Sequence, residues 1–402
     1  MAGLNRTRFH RQKRSEGGGK FAAVCVLLSS CLCIGLRLAG ATPRFEKHVI
    51  DGDTRAESCA VADVNRDGRL DIISGEYWYE APGWKKHRFR TIPVLNDYVD
   101  DFGALAIDVN DDGYPDVVSG SWFQKMIVWY ENPKTADGLW PRHRIENGLN
   151  IEIISRVKLS GSSGSTQILP NYGGTEEVAW YELLRGEDGR VEWSRHLVSK
   201  RGNAHGIGAG DVNGDGRPDI LTPNGWIEGP EDLNQPTWKF HSVWRLGGQY
   251  GETGQIYAYD VNGDGKSDLI ASAGHSYGVF WYEQRVDKDG FIGWVTHVID
   301  NTWSQAHALT LADLDGDGLR DIVTGKRYRA HDIDPGTFEP LGLYWYRLSR
   351  EGGRVQWEKH TLSYDDGVGT GVQIVVTDLN ADGRLDIVVP GKSGLHWMEQ
   401  VE

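Results

Sequence analysis

Cysteine, methionine and proline are scarce here, at 4, 3 and 14 of 402 residues. Three of the cysteines fall within the first 41 residues, which leaves Cys59 alone in the rest and excludes an internal disulfide there. No stripe of basic residues is present, which argues against a nucleic acid partner. A Gly-x-Ser-x-Gly element, a phosphate-binding loop and a dinucleotide fingerprint are likewise missing, so the commonest sequence marks of a serine hydrolase or a nucleotide site do not apply. Linkers, low-complexity tracts and coiled-coil heptads are also lacking, and nothing divides residues 42–402 into smaller domains.

What the chain has in quantity is glycine, 52 residues, and tryptophan, 16, a composition suited to turn-rich β structure with aromatic girders. Six acidic loops of the form Asp-x-Asn/Asp-x-Asp-Gly-x-x-Asp recur along it. Their polar positions are Asp63, Asn65, Asp67 and Asp71; Asp108, Asn110, Asp112 and Asp116; Asp211, Asn213, Asp215 and Asp219; Asp260, Asn262, Asp264 and Asp268; Asp313, Asp315, Asp317 and Asp321; and Asp378, Asn380, Asp382 and Asp386. Side-chain oxygens at positions 1, 3, 5 and 9 can converge on one hard cation, with glycine allowing the sharp turn between them. Oxygen-only ligands select calcium over zinc or copper, so about six structural calcium ions are expected. Position 12, where an EF-hand carries its bidentate glutamate, holds Ser74, Ser119, Thr222, Ala271, Thr324 and Val389. An apolar pair follows each loop instead and predicts a strand.

Two further marks repeat in step with the loops. A Trp-Tyr-Glu-like triplet is centred on Trp78, Trp129, Trp180, Trp226, Trp281, Trp345 and Trp397, and an aromatic-x-x-His pair ends at His48, His87, His143, His196, His241, His297 and His360. Both occur seven times. The segment Leu159 to Gln167 aligns with Asp211 to Asp219 but lacks every carboxylate, and is expected to hold no metal. Each unit thus reads as four short strands, the mark of a β-propeller blade, and the prediction is an all-β, seven-bladed β-propeller over residues 42–402. The Phe45–Ile50 stretch is a spare strand, expected to complete the last blade beside Trp397 and close the ring.

These residues, above all Gly206 to Gly216, resemble the FG-GAP/VCBS repeat family, which includes the integrin α-chain head. The resemblance implies the propeller and its calcium loops, and not a ligand. The repeat is also distantly similar to the propeller of the fungal aldos-2-ulose dehydratases, whose cupin-type domain has no counterpart in these residues.

Residues 1–41 read as a signal peptide or a retained N-terminal anchor: a basic start, an apolar run from Phe21 to Leu36, then Ala39, Gly40 and Ala41. An exported protein, monomeric and touching no membrane beyond such an anchor, is the expectation. Without that segment 36 basic residues face 56 acidic ones, a net charge of −20, and nineteen of the acids are aspartates at metal-ligand positions.

Function is sought where the repeats differ. Residues just before each first strand and just after each second strand share one face, opposite the acidic loops. The first group includes Glu57, Asp101, Glu152, His205 and His307; the second includes Trp122, His275, Lys326, Arg327 and Lys392. Glu57, Asp101, His205, His307, Lys326 and Arg327 are the candidate catalytic or ligand-binding set, expected around one concavity. The histidines are proton carriers, and the two cations suit an anionic group or a carbonyl oxygen. The long segment Lys326–Gly336 adds a functional loop. Two readings follow: a binding module for a carbohydrate or protein ligand, or a carbohydrate-active lyase or isomerase. A metal at the mouth held by His205, His307 and an acid would mark the second.

Overall fold

The computed structural model describes residues 42–95, 98–159, 164–247 and 252–402; the expected signal segment lies outside them, as does part of the loop expected to be metal-free. Among the described residues there is no α-helix, and none long and apolar enough to cross a membrane. The fold is all-β, in a β-propeller arrangement. Cys59–Ala62, Asp71–Ser74, Tyr77–Glu80 and Lys85–Arg88 form one antiparallel four-stranded meander. Gly103–Ile107 to Arg142–Asn147, Asn150–Val157 to Val191–Ser199, and Ala308–Ala312 to Arg354–Tyr364 repeat it. Each meander places an acidic loop, or the stretch aligned with one, between its first two strands.

The Trp-Tyr-Glu and aromatic-x-x-His marks explain each other in three dimensions. The tryptophan of the third strand sits directly opposite the histidine of the fourth, as in Trp78 with His87 and Trp129 with His143. In all seven repeats the two rings stack, with centroids 4.0–4.6 Å apart. In five repeats the glutamate two residues past the tryptophan meets the histidine Nε2, at 2.9 Å for Glu80 and His87 and 2.7 Å for Glu228 and His241, whereas Glu182 stands 3.7 Å from His196. In the repeat of Trp345 this glutamate is replaced by Arg347, which reaches Asp315 in the acidic loop instead. These seven histidines are cross-strand packing elements.

Phe45–Asp51 pairs antiparallel with Gly394–Gln400, from Phe45 opposite Gln400 to Asp51 opposite Leu395, and so joins the sheet of Val375–Thr377 and Asp386–Gly391. Cys59–Ala62 lies against both Gly103–Ile107 and Val375–Thr377. Cys59, Ile72 and Tyr79 share one buried cluster with Leu379, Val388, Leu395 and Trp397.

The sheets do not fall into the seven separate blades expected. Five four-stranded sheets stand apart, while residues 207–304 make a single eight-stranded sheet in which Ile207–Gly210 and Gln255–Tyr259 pair in parallel. Glycine makes this approach possible: a Cβ on Gly208 would stand 1.8 Å from the Ile256 carbonyl oxygen, and one on Gly210 would meet the Ala258 methyl at 2.5 Å. Neither backbone can yield without breaking its own pairing. Gly208→Ala is therefore expected to cost about 3 kcal/mol or more, at the upper end for overpacking, seen as a lowered urea midpoint. An unchanged midpoint would mean that the two inner strands do not lie this close.

Candidate functional site

On the face opposite the acidic loops a cavity of about 470 Å³ opens at the ends of the inner strands. Four of its lining side chains are aromatic, Tyr98, Phe102, Trp122 and Phe123, and seven are polar, Glu152, His205, Glu252, His275, Arg327, His331 and Asp334. Tyr98 comes from a two-stranded ribbon, Val94–Leu95 with Tyr98–Val99, and its hydroxyl meets His331 Nδ1 at 2.6 Å. Trp122 is seated on Gly173, where a Cβ would stand 2.2 Å from the indole.

Behind the polar side chains runs a chain of buried charges. Arg327 Nε donates to Glu57 Oε2 at 3.1 Å, and its Nη1 lies 3.5 Å from Glu152 Oε1. That same Glu152 oxygen is 3.1 Å from His307 Nε2 and 3.5 Å from His205 Nε2. Burial works against the charge on Glu152, but its histidine neighbours hold it well below the usual carboxylate range. Burial and the Arg327 guanidinium keep His307 neutral, far below the usual histidine range. His205 is also penalised by burial, yet the Glu152 carboxylate raises it. For Arg327, burial is outweighed by Glu57 and Glu152, which raise it further. Removing one partner of such a buried pair leaves an uncompensated charge, at a cost of about 3–5 kcal/mol; Arg327 therefore has a structural task as well as an exposed edge on the pocket.

The six sequence candidates do not all stand at the cavity. His205 and Arg327 line it. Glu57 and His307 lie behind, joined to it through Arg327 and Glu152. Asp101 and Lys326 are drawn elsewhere, and their expected place in the concavity is corrected accordingly. Asp101 is fully buried and bound to Arg90 Nη2 at 2.6 Å, and Arg90 also donates to the Gly75 carbonyl and to Ser119 Oγ. This pair ties two neighbouring sheets together. Lys326 donates to Ser304 Oγ at 2.8 Å and to the Gly336 carbonyl at 2.6 Å, so it pins its own loop; burial pushes it down to about 8. Glu152 and His275 are central here although the sequence gives them only ring positions. His331 and Asp334 come from the Lys326–Gly336 loop expected to be functional, whereas no repeat or motif points to Tyr98, Phe102 or Phe123.

The acidic loops share one template. In the first, Asp63 accepts the amides of Asp67 and Gly68 at 2.9 and 3.0 Å, and Asp67 accepts that of Arg69 at 2.9 Å. Ligand atoms of Asp313, Asp315 and Asp317 all lie within 4.8 Å of one another, an arrangement that an oxygen-seeking cation fits. Basic side chains pair with the loop carboxylates in this loop and four others: Arg347 with Asp315, Lys134 with Asp112, Arg217 with Asp215, Lys266 with Asp264, and Arg384 with Asp382. The position-nine aspartates have a second task. Asp71 accepts the Val64 and Ala81 amides, both at 2.9 Å, and Asp116, Asp219, Asp268, Asp321 and Asp386 repeat this pattern, all fully buried. Burial, with the nearby loop carboxylates, pushes Asp71 up to about 6 and Asp219 up to about 7. In the carboxylate-free repeat Gln167 Oε1 accepts the Leu159 amide at 2.7 Å, so the staple outlives the acids.

Residues 260–324 match the FG-GAP-like repeat family. No curated protein sequence matches the chain. A solved structure of an Agrocybe aegerita lectin that recognises non-reducing terminal N-acetylglucosamine aligns over 78% of this chain and 81% of its own, at 14% identity and a TM-score of 0.47.

Proposed function

We infer that this chain is an exported, calcium-braced binding propeller that takes a carbohydrate in the pocket opposite the acidic loops. The observation that carries this reading is that one pocket is lined by both aromatic rings and polar side chains. Sugar rings present apolar CH faces that stack on Trp122, Phe102 or Tyr98, and hydroxyl edges that hydrogen-bond to Glu152, His205, Asp334 or Arg327. The volume suits one or two sugar units. In the same reading the eight-stranded sheet is two blades fused by glycine contact, giving seven four-stranded units closed by Phe45–Asp51. Six loops hold calcium, and residues 1–41 direct export.

Screening the purified protein against glycans and keto-sugars tests this. A ligand should appear, and Trp122→Ala should weaken it by about tenfold or more, consistent with roughly 1.4 kcal/mol or more for loss of a stacking platform. Gly173→Ala, which forces the indole aside, should act in the same direction while the melting temperature stays close to that of the parent. Binding indifferent to both substitutions would place the ligand elsewhere. A second reading, a lyase or isomerase acting on a sugar, is favoured by the grouping of ionised Glu152, neutral His307 and the Arg327 cation. Loss of water from a keto-sugar, seen by mass spectrometry and abolished in Glu152→Gln, would decide for it.

A further inference from the structure

His205 and His275 face each other in the pocket lining with their Nε2 atoms 3.1 Å apart. Hydrogen bonds on the far side of each ring fix the tautomers. His205 Nδ1 lies 2.7 Å from the Thr253 carbonyl, which can only accept, so this nitrogen carries the hydrogen. His275 Nδ1 lies 2.7 Å from Asp334 Oδ2, and it too donates. In their neutral forms both rings therefore aim an Nε2 lone pair at the other. Two lone pairs at this distance repel, so the contact needs either a proton carried by one ring or a metal ion that both rings share.

A third ring completes the set. His307 is wholly buried, its Nε2 lies 3.1 Å from Glu152 Oε1, and its Nδ1 has no hydrogen-bond partner. One ligand nitrogen from each of His205, His275 and His307 lies within 4.8 Å of the other two. Imidazole nitrogens about 2.0–2.1 Å from a shared ion stand roughly 3.0–3.4 Å apart at tetrahedral or octahedral angles, and the 3.1 Å pair matches that edge. A carboxylate or carbonyl on the Nδ1–H of a ligand histidine is also the usual outer support of a metal site.

We propose that His205, His275 and His307 bind one first-row transition-metal dication, of the zinc class, in the wall of the pocket. Imidazole ligands select such an ion over calcium, so this site is chemically distinct from the acidic loops. His307 holds it from behind, and the remaining coordination position faces the cavity. Glu152 beside it offsets the charge and can accept a hydrogen bond from a water or hydroxyl on the ion. The metal would act as a Lewis acid toward a ligand oxygen. This inference uses the same pocket as the binding reading but does not depend on the identity of the ligand.

The test is a cobalt(II) titration of the untagged, full-length protein in excess calcium, followed through the visible d–d absorption. One equivalent should bind with the intense bands of a low-coordinate site, and one equivalent of zinc should displace it. His275→Ala and His307→Ala should each weaken binding by at least about 100-fold, and Asp334→Asn, which removes only the outer support, by about 10–100-fold. Asp334→Asn keeps the test decisive where a histidine variant fails to fold. No stoichiometric uptake, or uptake unaffected by His275→Ala and Asp334→Asn, overturns the proposal, as does dependence on His331 without His307. Glycan binding by a protein that takes up no cobalt defeats this inference and leaves the binding reading standing. Cobalt uptake by a protein that binds no sugar does the reverse.

Discussion

Deletion of residues 42–51 is expected to prevent native folding, although these residues supply neither a side chain that lines the pocket nor a carboxylate of an acidic loop. The strand they supply runs the length of Gly394–Gln400. His48 stacks on Trp397 with centroids 4.6 Å apart and meets Glu399 Oε2 at 2.7 Å, repeating the cross-strand unit of the other sheets. Phe45 packs against the cluster around Trp345 and Met398. Cross-strand pairs contribute about 0.2–1 kcal/mol each and net backbone hydrogen bonds about 0.5–1.5 kcal/mol each. Together they approach the whole stability of a typical domain, about 5–15 kcal/mol. The loss would also strip Gly394–Gln400 of its outer neighbour and leave an exposed strand edge, prone to association. The expected result is a shortened protein that aggregates or melts without cooperativity, measured by circular dichroism and size-exclusion chromatography. A monomer that melts as the parent does would show that the seam between the first and last sheets needs no such strand. Adding the deleted segment back as a peptide should restore part of the cooperative transition, because it resupplies the strand that pairs with Gly394–Gln400.

Much of this architecture is legible in the sequence because the repeat is written in residues with firm geometric demands. A tryptophan and a histidine that recur at fixed places in two consecutive strands must face each other, and they do so in every repeat. The acidic loops likewise mark where the first strand ends and the second begins. The mouth follows from the same alternation of strand direction, which places Glu57, His205, His307 and Arg327 in one neighbourhood. What the sequence hides is competition for partners. Asp101 occupies the ring position expected of a site residue, but Arg90, eleven residues earlier and outside the repeat, captures it. Lys326 adjoins Arg327, yet the loop that returns at Gly336 offers it a carbonyl and turns it inward. Glu152 and His275 stand among the ring positions but outside the candidate set, because nothing local sets them apart; their importance comes from where His307 and Asp334 arrive. The parallel pairing near Gly208 is written only as glycines, which in a propeller also serve as turns.

Calcium withdrawal is expected to produce the other large effect. With six loops filled, emission spectrometry of the desalted protein should find about six ions per chain. A ligand held at 100 times its dissociation constant stabilises the folded state by about 2.7 kcal/mol per site, so six sites amount to something on the order of 15 kcal/mol. A chelator should lower the melting temperature by more than about 10 °C, and added calcium should restore it. Without the ion, carboxylates as close as those of Asp313, Asp315 and Asp317 repel one another, and pairs such as Lys266 with Asp264 offset only part of that. Single substitutions separate the metal from the staple. Asp215→Ala removes a position-five ligand, so it should cost one ion and destabilise the protein in calcium but little in chelator. Asp386→Ala leaves the Leu379 and Gln400 amides unpaired, and should destabilise the protein in both conditions. Metal content near zero, or a melting temperature indifferent to chelator, would refute the calcium assignment and leave the position-nine aspartates as the whole reason for the motif.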